Sequence, residues 1–177
     1  MSRLQNKRIL LFVENLYEDL ELWYPYYRLL EEGADVVIAG PEARRVYESK
    51  HGYPCRADVS FEDIKAAQFD GLVIPGGFSP DRLRRYEKVK QLTRELFNSQ
   101  KLVAHICHGG WVPISAGIVR GYKCTSTPAI KDDLVNAGAT WVDEPLVIDR
   151  NMVSSRRPDD LPQFCQGIIK VLLKQES

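Results

Sequence analysis

Four short apolar runs, each ending in a turn, most limit what this 177-residue chain can fold into. They are Arg8–Val13, Asp35–Ala39, Phe69–Ile74 and Leu102–Ile106. Each reads as a strand buried on both faces, as strands of a parallel sheet are. Between them, Leu20–Glu32 and Glu87–Asn98 carry helical apolar spacing, and Gly33 stops the first. Helices are also expected over Ile130–Ala137 and Pro158–Leu173, with a short one running from the turn after Ile106 to Ala116. Further strands are expected over Tyr122–Ser126, Thr140–Val142 and the two arms around the Asp149-Arg150-Asn151 turn. Residues 42–59 are less regular, with a possible hairpin at His51-Gly52, and Ser60 reads as a helix N-cap. Strands that alternate with helices imply a parallel sheet covered on both sides, and the length suits one domain over 1–177.

Charge excludes several function classes. Lys plus Arg number 24 and Asp plus Glu number 24, so there is no electrostatic footprint for nucleic acid. No apolar run reaches membrane-spanning length, and the N-terminal one is broken by Glu14, unlike a signal peptide. No nucleic-acid or membrane partner is expected. The four cysteines, Cys55, Cys107, Cys124 and Cys165, form neither a C-x-x-C pair nor a zinc-like spacing with histidine. Free thiols in a reducing cytoplasm are expected, with no metal and no cofactor.

In open parallel sheets ligands gather at the carboxyl ends of strands. Three segments there carry chemistry. Cys107 follows a strand and precedes His108-Gly109-Gly110, which would place a thiol at a tight strand-to-helix turn. N–H groups of that turn would stabilise a thiolate and lower its pKa. The other three cysteines read as small buried apolar residues. His108 is either a general base folded back toward the sulfur or a helix-start histidine bonded elsewhere. His105 reads as a core histidine and His51 as a surface one. After the third run, Gly76 and Gly77 could turn N–H groups toward an oxyanion, or form a plain turn. Glu18, Asp19 and Glu21 form an acidic group at a helix start, where acids are favoured anyway, and spacing alone does not separate them.

The segments YEDLELWYPYYRL, DGLVIPGG, AHICHGG, SAGIVRG, IKDDLVNAG and SSRRPDDLP resemble the ThiJ/PfpI superfamily, and most closely its PfpI-type intracellular cysteine proteases. The resemblance covers nearly the whole chain. It implies a flavodoxin-like three-layer sandwich of the class I glutamine amidotransferase kind, assembled as dimers or hexamers. By position it makes Cys107 the nucleophile, Glu18 the carboxylic acid in contact with it, and His108 the base. It also makes Asp81, in place of the usual Glu, the acid that a neighbouring subunit offers to that histidine. Gly109 and Gly110 follow where members often have Gly-Pro.

Three activities follow from these residues. One is a cysteine hydrolase, an intracellular peptidase by resemblance, which needs His108 as base and donor to the leaving amine. Another is a cofactor-independent glyoxalase or deglycase, in which Cys107 attacks a small carbonyl and a protonated Glu18 shuttles protons. The last is a redox sensor in which Cys107 is oxidised and capped by Glu18. Finally, the helix over 20–30 carries aromatics at 23, 24, 26 and 27, on more than one side, which predicts a homo-oligomer contacting a partner there.

Overall fold

The structure, a computed structural model, describes residues 2–175. Its main sheet has seven strands, side by side in the order Val147–Asp149, Met152–Ser155, Leu102–Ile106, Gly71–Ile74, Arg8–Phe12, Asp35–Gly40 and Val59–Ser60. In chain order the elements are β1 (Arg8–Phe12), α1 (Asp19–Glu31), β2 (Asp35–Gly40), β3 (Val46–Glu48), β4 (Pro54–Arg56), β5 (Val59–Ser60) and β6 (Gly71–Ile74). Then come α2 (Ser79–Leu83), α3 (Glu87–Asn98), β7 (Leu102–Ile106), α4 (Trp111–Ala116), β8 (Lys123–Cys124), α5 (Lys131–Asn136), β9 (Thr140–Trp141), β10 (Val147–Asp149), β11 (Met152–Ser155) and α6 (Leu161–Lys174). The five inner strands β2, β1, β6, β7 and β11 are parallel, and their order is the flavodoxin-like one. Only β10, at an edge, runs antiparallel to its neighbour. The chain is thus a flavodoxin-like α/β sandwich.

The strand runs are uniformly apolar because both faces are covered. In β1, Ile9 and Leu11 pack with Leu22 and Leu29 of α1 and Phe164 and Ile168 of α6. Leu10 and Phe12 face the other way, toward Val89, Leu92 and Leu96 of α3. The expected hairpin is β3–β4, paired Val46↔Arg56 through Glu48↔Pro54. Two expectations shift. Tyr122–Ser126 and Thr140–Val142 shrink to β8 and β9, which pair only with each other, outside the main sheet. Ser60 caps a single 3-10 turn, Phe61–Asp63, and no longer helix. Among the described residues, no helix is long and apolar enough to cross a membrane.

Candidate active site

The carboxyl ends of β1, β6 and β7 meet where strand order reverses. Cys107 directly follows β7 with φ +59°, in the left-handed region that favours glycine. A non-glycine residue held there marks a strained elbow, which lifts a side chain clear of the sheet. Glycines make room for it. A Cβ on Gly76 would stand 2.4 Å from Glu21 Oε2 and 2.8 Å from the Cys107 Cβ, and one on Gly109 would stand 2.5 Å from the Ile74 carbonyl oxygen. Gly77 has φ +81°, and a Cβ there would strike backbone on either side of Tyr17.

The acid against Cys107 is Glu21, not Glu18. Helix α1 begins at Asp19, which makes Glu18 its N-cap. Glu18 Oε2 accepts the Glu21 N–H at 3.0 Å, so that carboxylate is spent on its own helix start. Glu21 lies on the buried face with Leu22, Pro25 and Leu29. Its Oε2 accepts the Gly76 N–H at 2.7 Å, and its carboxyl interacts with the Cys107 thiol. A sequence signal existed: 21, 25 and 29 share one helical stripe, and a carboxylate interrupts its apolar face.

Gly76 therefore does not offer its N–H to an oxyanion, because Glu21 holds it. The N–H groups of Gly77 and His108 instead point at the Cys107 sulfur. His108 does fold back: its Nδ1 is 3.4 Å from Cys107 Sγ, and its ring leans on Trp111 at 5.1 Å. Asp81, on α2, pairs with Arg85 at 2.6 Å and makes no bond to His108 of its own chain. His51 is exposed and pairs with Asp19, while His105 is fully buried in β7.

Burial sets the protonation. Desolvation, then the nearby Glu18 charge, pushes Glu21 up to about 8. Burial, then the charge Glu21 would carry, pushes the Cys107 thiol to about 12, against the two N–H groups that lower it. The expected thiolate-stabilising effect of the turn is present but loses to desolvation. The buried pair does not carry two negative charges, and around neutral pH Glu21 keeps its proton. Burial first, and then Lys50, hold His108 below the usual histidine range, so it is a neutral base there. Cys55, Cys124 and Cys165 are likewise pushed up to about 12. Access rather than acidity separates Cys107, which is half-buried where the others are buried.

Glu18, Glu21, Lys50, Gly77, Phe78, Cys107, His108 and Pro158 line a cavity of about 160 Å³. Beside it, Glu18, Asp19 and His51 bring ligand atoms within 4.8 Å of one another, the one such group among the described residues. Asp19 is already bonded by Ser49 and His51, and Glu18 by the Glu21 N–H and Lys50, so these carboxylates are satisfied without a cation.

A thiol on a strand-to-helix elbow, with a protonated carboxyl and a histidine around it, defines a cysteine-centred α/β protein. The chain belongs to the DJ-1/PfpI family, whose model matches residues 7–171. It is 47% identical over 165 residues to Deglycase PH1704 of Pyrococcus horikoshii, across 93% of this chain and 99% of that protein. It is 36% identical over 167 residues, 94% of this chain and 99% of the relative, to YraA of Bacillus subtilis, which carries a provisional cysteine-protease name. Among solved structures, Drosophila melanogaster DJ-1beta superposes with TM-score 0.89 at 27% identity, covering 96% of this chain and 92% of that one. The relatives named for an activity are enzymes, of deglycase and cysteine-protease kinds.

Proposed function

We propose that the protein is a cysteine-dependent enzyme of small α-dicarbonyls and their adducts, a deglycase in kind. The observation that carries this reading is Glu21, buried against Cys107 and still protonated near neutral pH. A carboxyl with that pKa can both give and take a proton at working pH. Cys107 adds through sulfur to the aldehyde carbon of methylglyoxal, and its proton passes by way of His108 to the new hydroxyl. Glu21 then moves protons between the two carbons through an enediol, which leaves a lactoyl thioester. Water cleaves that thioester, returns the thiol and releases lactate. Nothing is oxidised or reduced by an outside agent. The cavity supports the reading, since about 160 Å³ falls below the usual range for larger ligands.

The 3.4 Å approach of His108 Nδ1 to Cys107 Sγ favours a second reading, a cysteine peptidase with His108 as base. One assay pair separates them. Wild type should convert methylglyoxal to lactate, and Cys107→Ser should lose roughly three orders of magnitude or more. Peptide cleavage without lactate release would reverse the order of the two readings. A homo-oligomer is also proposed, built on the exposed Leu20, Tyr24 and Tyr27 of α1, with Asp81 of one copy offered to His108 of another. A strictly monomeric mass by light scattering at micromolar concentration would end that proposal.

A further inference from the structure

We infer that Lys50 is the anion anchor of the Cys107 cavity, so that the preferred substrates are α-ketoaldehydes that also carry a carboxylate. The substrate class rests on the carbonyl reading above; the anchor itself does not.

Lys50 is the sole fixed cation among the residues lining the cavity. Of the other ionisable groups there, Glu21 keeps its proton near neutral pH and His108 stays neutral. Glu18 is the remaining charge, and its Oε1 lies 3.8 Å from Lys50 Nζ, at the outer limit of an ion pair. An ammonium has three donors, so that contact leaves others for a ligand. The Lys50 side chain is 41% exposed. It is thus wetted and reachable.

The backbone that carries Lys50 is held in place. The Lys50 N–H donates to the Tyr17 carbonyl at 2.9 Å. The preceding Ser49 is buried, and its Oγ donates to Asp19 Oδ1 at 2.6 Å while accepting the His51 and Tyr53 N–H groups. These bonds staple the β3–β4 turn to the start of α1, the helix that bears Glu21. The Lys50 backbone and the helix bearing Glu21 thereby form one frame, and lysine and thiol line the same cavity. A carboxylate borne by an α-ketoaldehyde suits it: the acid group pairs with the ammonium while both carbonyl carbons stay free for the proton shuttle.

Alkylation of Cys107 tests the anchor without turnover. Iodoacetate carries a carboxylate one carbon from the attacked carbon, and iodoacetamide is its neutral counterpart. In each case sulfur displaces iodide and the thiol proton is lost. The ratio of the two rates removes any change in the thiol itself. Lys50→Gln should lower the iodoacetate-to-iodoacetamide ratio at Cys107 about tenfold, a factor on the order of one lost charged hydrogen bond. Lys50→Arg should hold the ratio within about threefold of wild type by the same measure. An unchanged ratio in Lys50→Gln overturns the anchor. Turnover is a separate arm: Lys50→Gln should lower kcat/KM for γ,δ-dioxovalerate, an α-ketoaldehyde that carries a carboxylate, more than for methylglyoxal. A fallen alkylation ratio with no turnover of either aldehyde by wild type would keep the anchor and sink the carbonyl reading. An unchanged ratio with methylglyoxal turnover intact would do the reverse.

Discussion

Glu21 and His105 are both wholly buried titratable residues near the same strand end, yet one makes a site and the other does not. Glu21 has one oxygen on the Gly76 N–H and faces the Cys107 thiol. His105 has no hydrogen-bond partner on either ring nitrogen among the described residues. Burial shifts each toward its neutral form, Glu21 up to about 8 and His105 down to about 4. For Glu21 the neutral form is an acid poised at working pH beside a nucleophile. For His105 it is a base with nothing to act on. Desolvation alone therefore does not mark function; a reactive partner within reach does.

The largest effect that would break this contrast lies at Glu21. Glu21→Gln should lower methylglyoxal turnover by about 10²–10⁴, the usual contribution of a general acid–base group. Its Cys107 should still react with iodoacetamide, because an amide can also donate toward the sulfur. Stability should move too. A carboxyl raised from 4.5 to about 8 contributes stability that is complete below 4.5 and is lost as pH rises toward 8. Urea melts of wild type and Glu21→Gln should diverge over that window, by on the order of a few kcal/mol in favour of the variant at its upper end. Full turnover by Glu21→Gln would remove Glu21 from the mechanism.

The next effect lies at His105. His105→Leu removes two unpaired buried polar atoms at similar volume and should raise stability by about 1–3 kcal/mol at pH 7. A histidine lowered from 6.5 to about 4 has its stability in place above 6.5 and loses it as pH falls toward 4. The advantage of the variant should therefore widen from pH 7 to pH 5, with turnover unaffected at pH 7. A variant less stable than wild type at both pH values would mean that His105 has a partner after all. The smallest effect belongs to Glu18. Glu18→Ala removes an N-cap and should lower the melting free energy by about 1 kcal/mol. A loss of turnover as deep as that of Glu21→Gln, at unchanged stability, would return the acid's role to Glu18.

Much of the fold is written locally. Leu102–Ile106 and Glu87–Asn98 have in the structure the bounds their apolar patterns imply. The elbow at Cys107 follows from a strand running into glycines, and the His51-Gly52 turn does join a hairpin. Uniformly apolar strands fix a sheet covered on both faces, whatever the partners. By contrast, Glu18 and Glu21 are the same residue type near the same helix start. The apolar stripe of α1 carries Glu21 and not Glu18, but only the packing of that stripe against the sheet brings the Gly76 N–H and the Cys107 thiol to it. The use of the Gly76 N–H, the pairing of β8 with β9 and the reach of Lys50 into the cavity likewise join residues far apart in the chain. Apolar periodicity and turn residues act over a few neighbours, so the sequence by itself determined the elements and the nucleophile's elbow. How completely the Glu21 carboxyl loses its water, and what it then faces, depends on long-range packing, and the tertiary structure alone decided it.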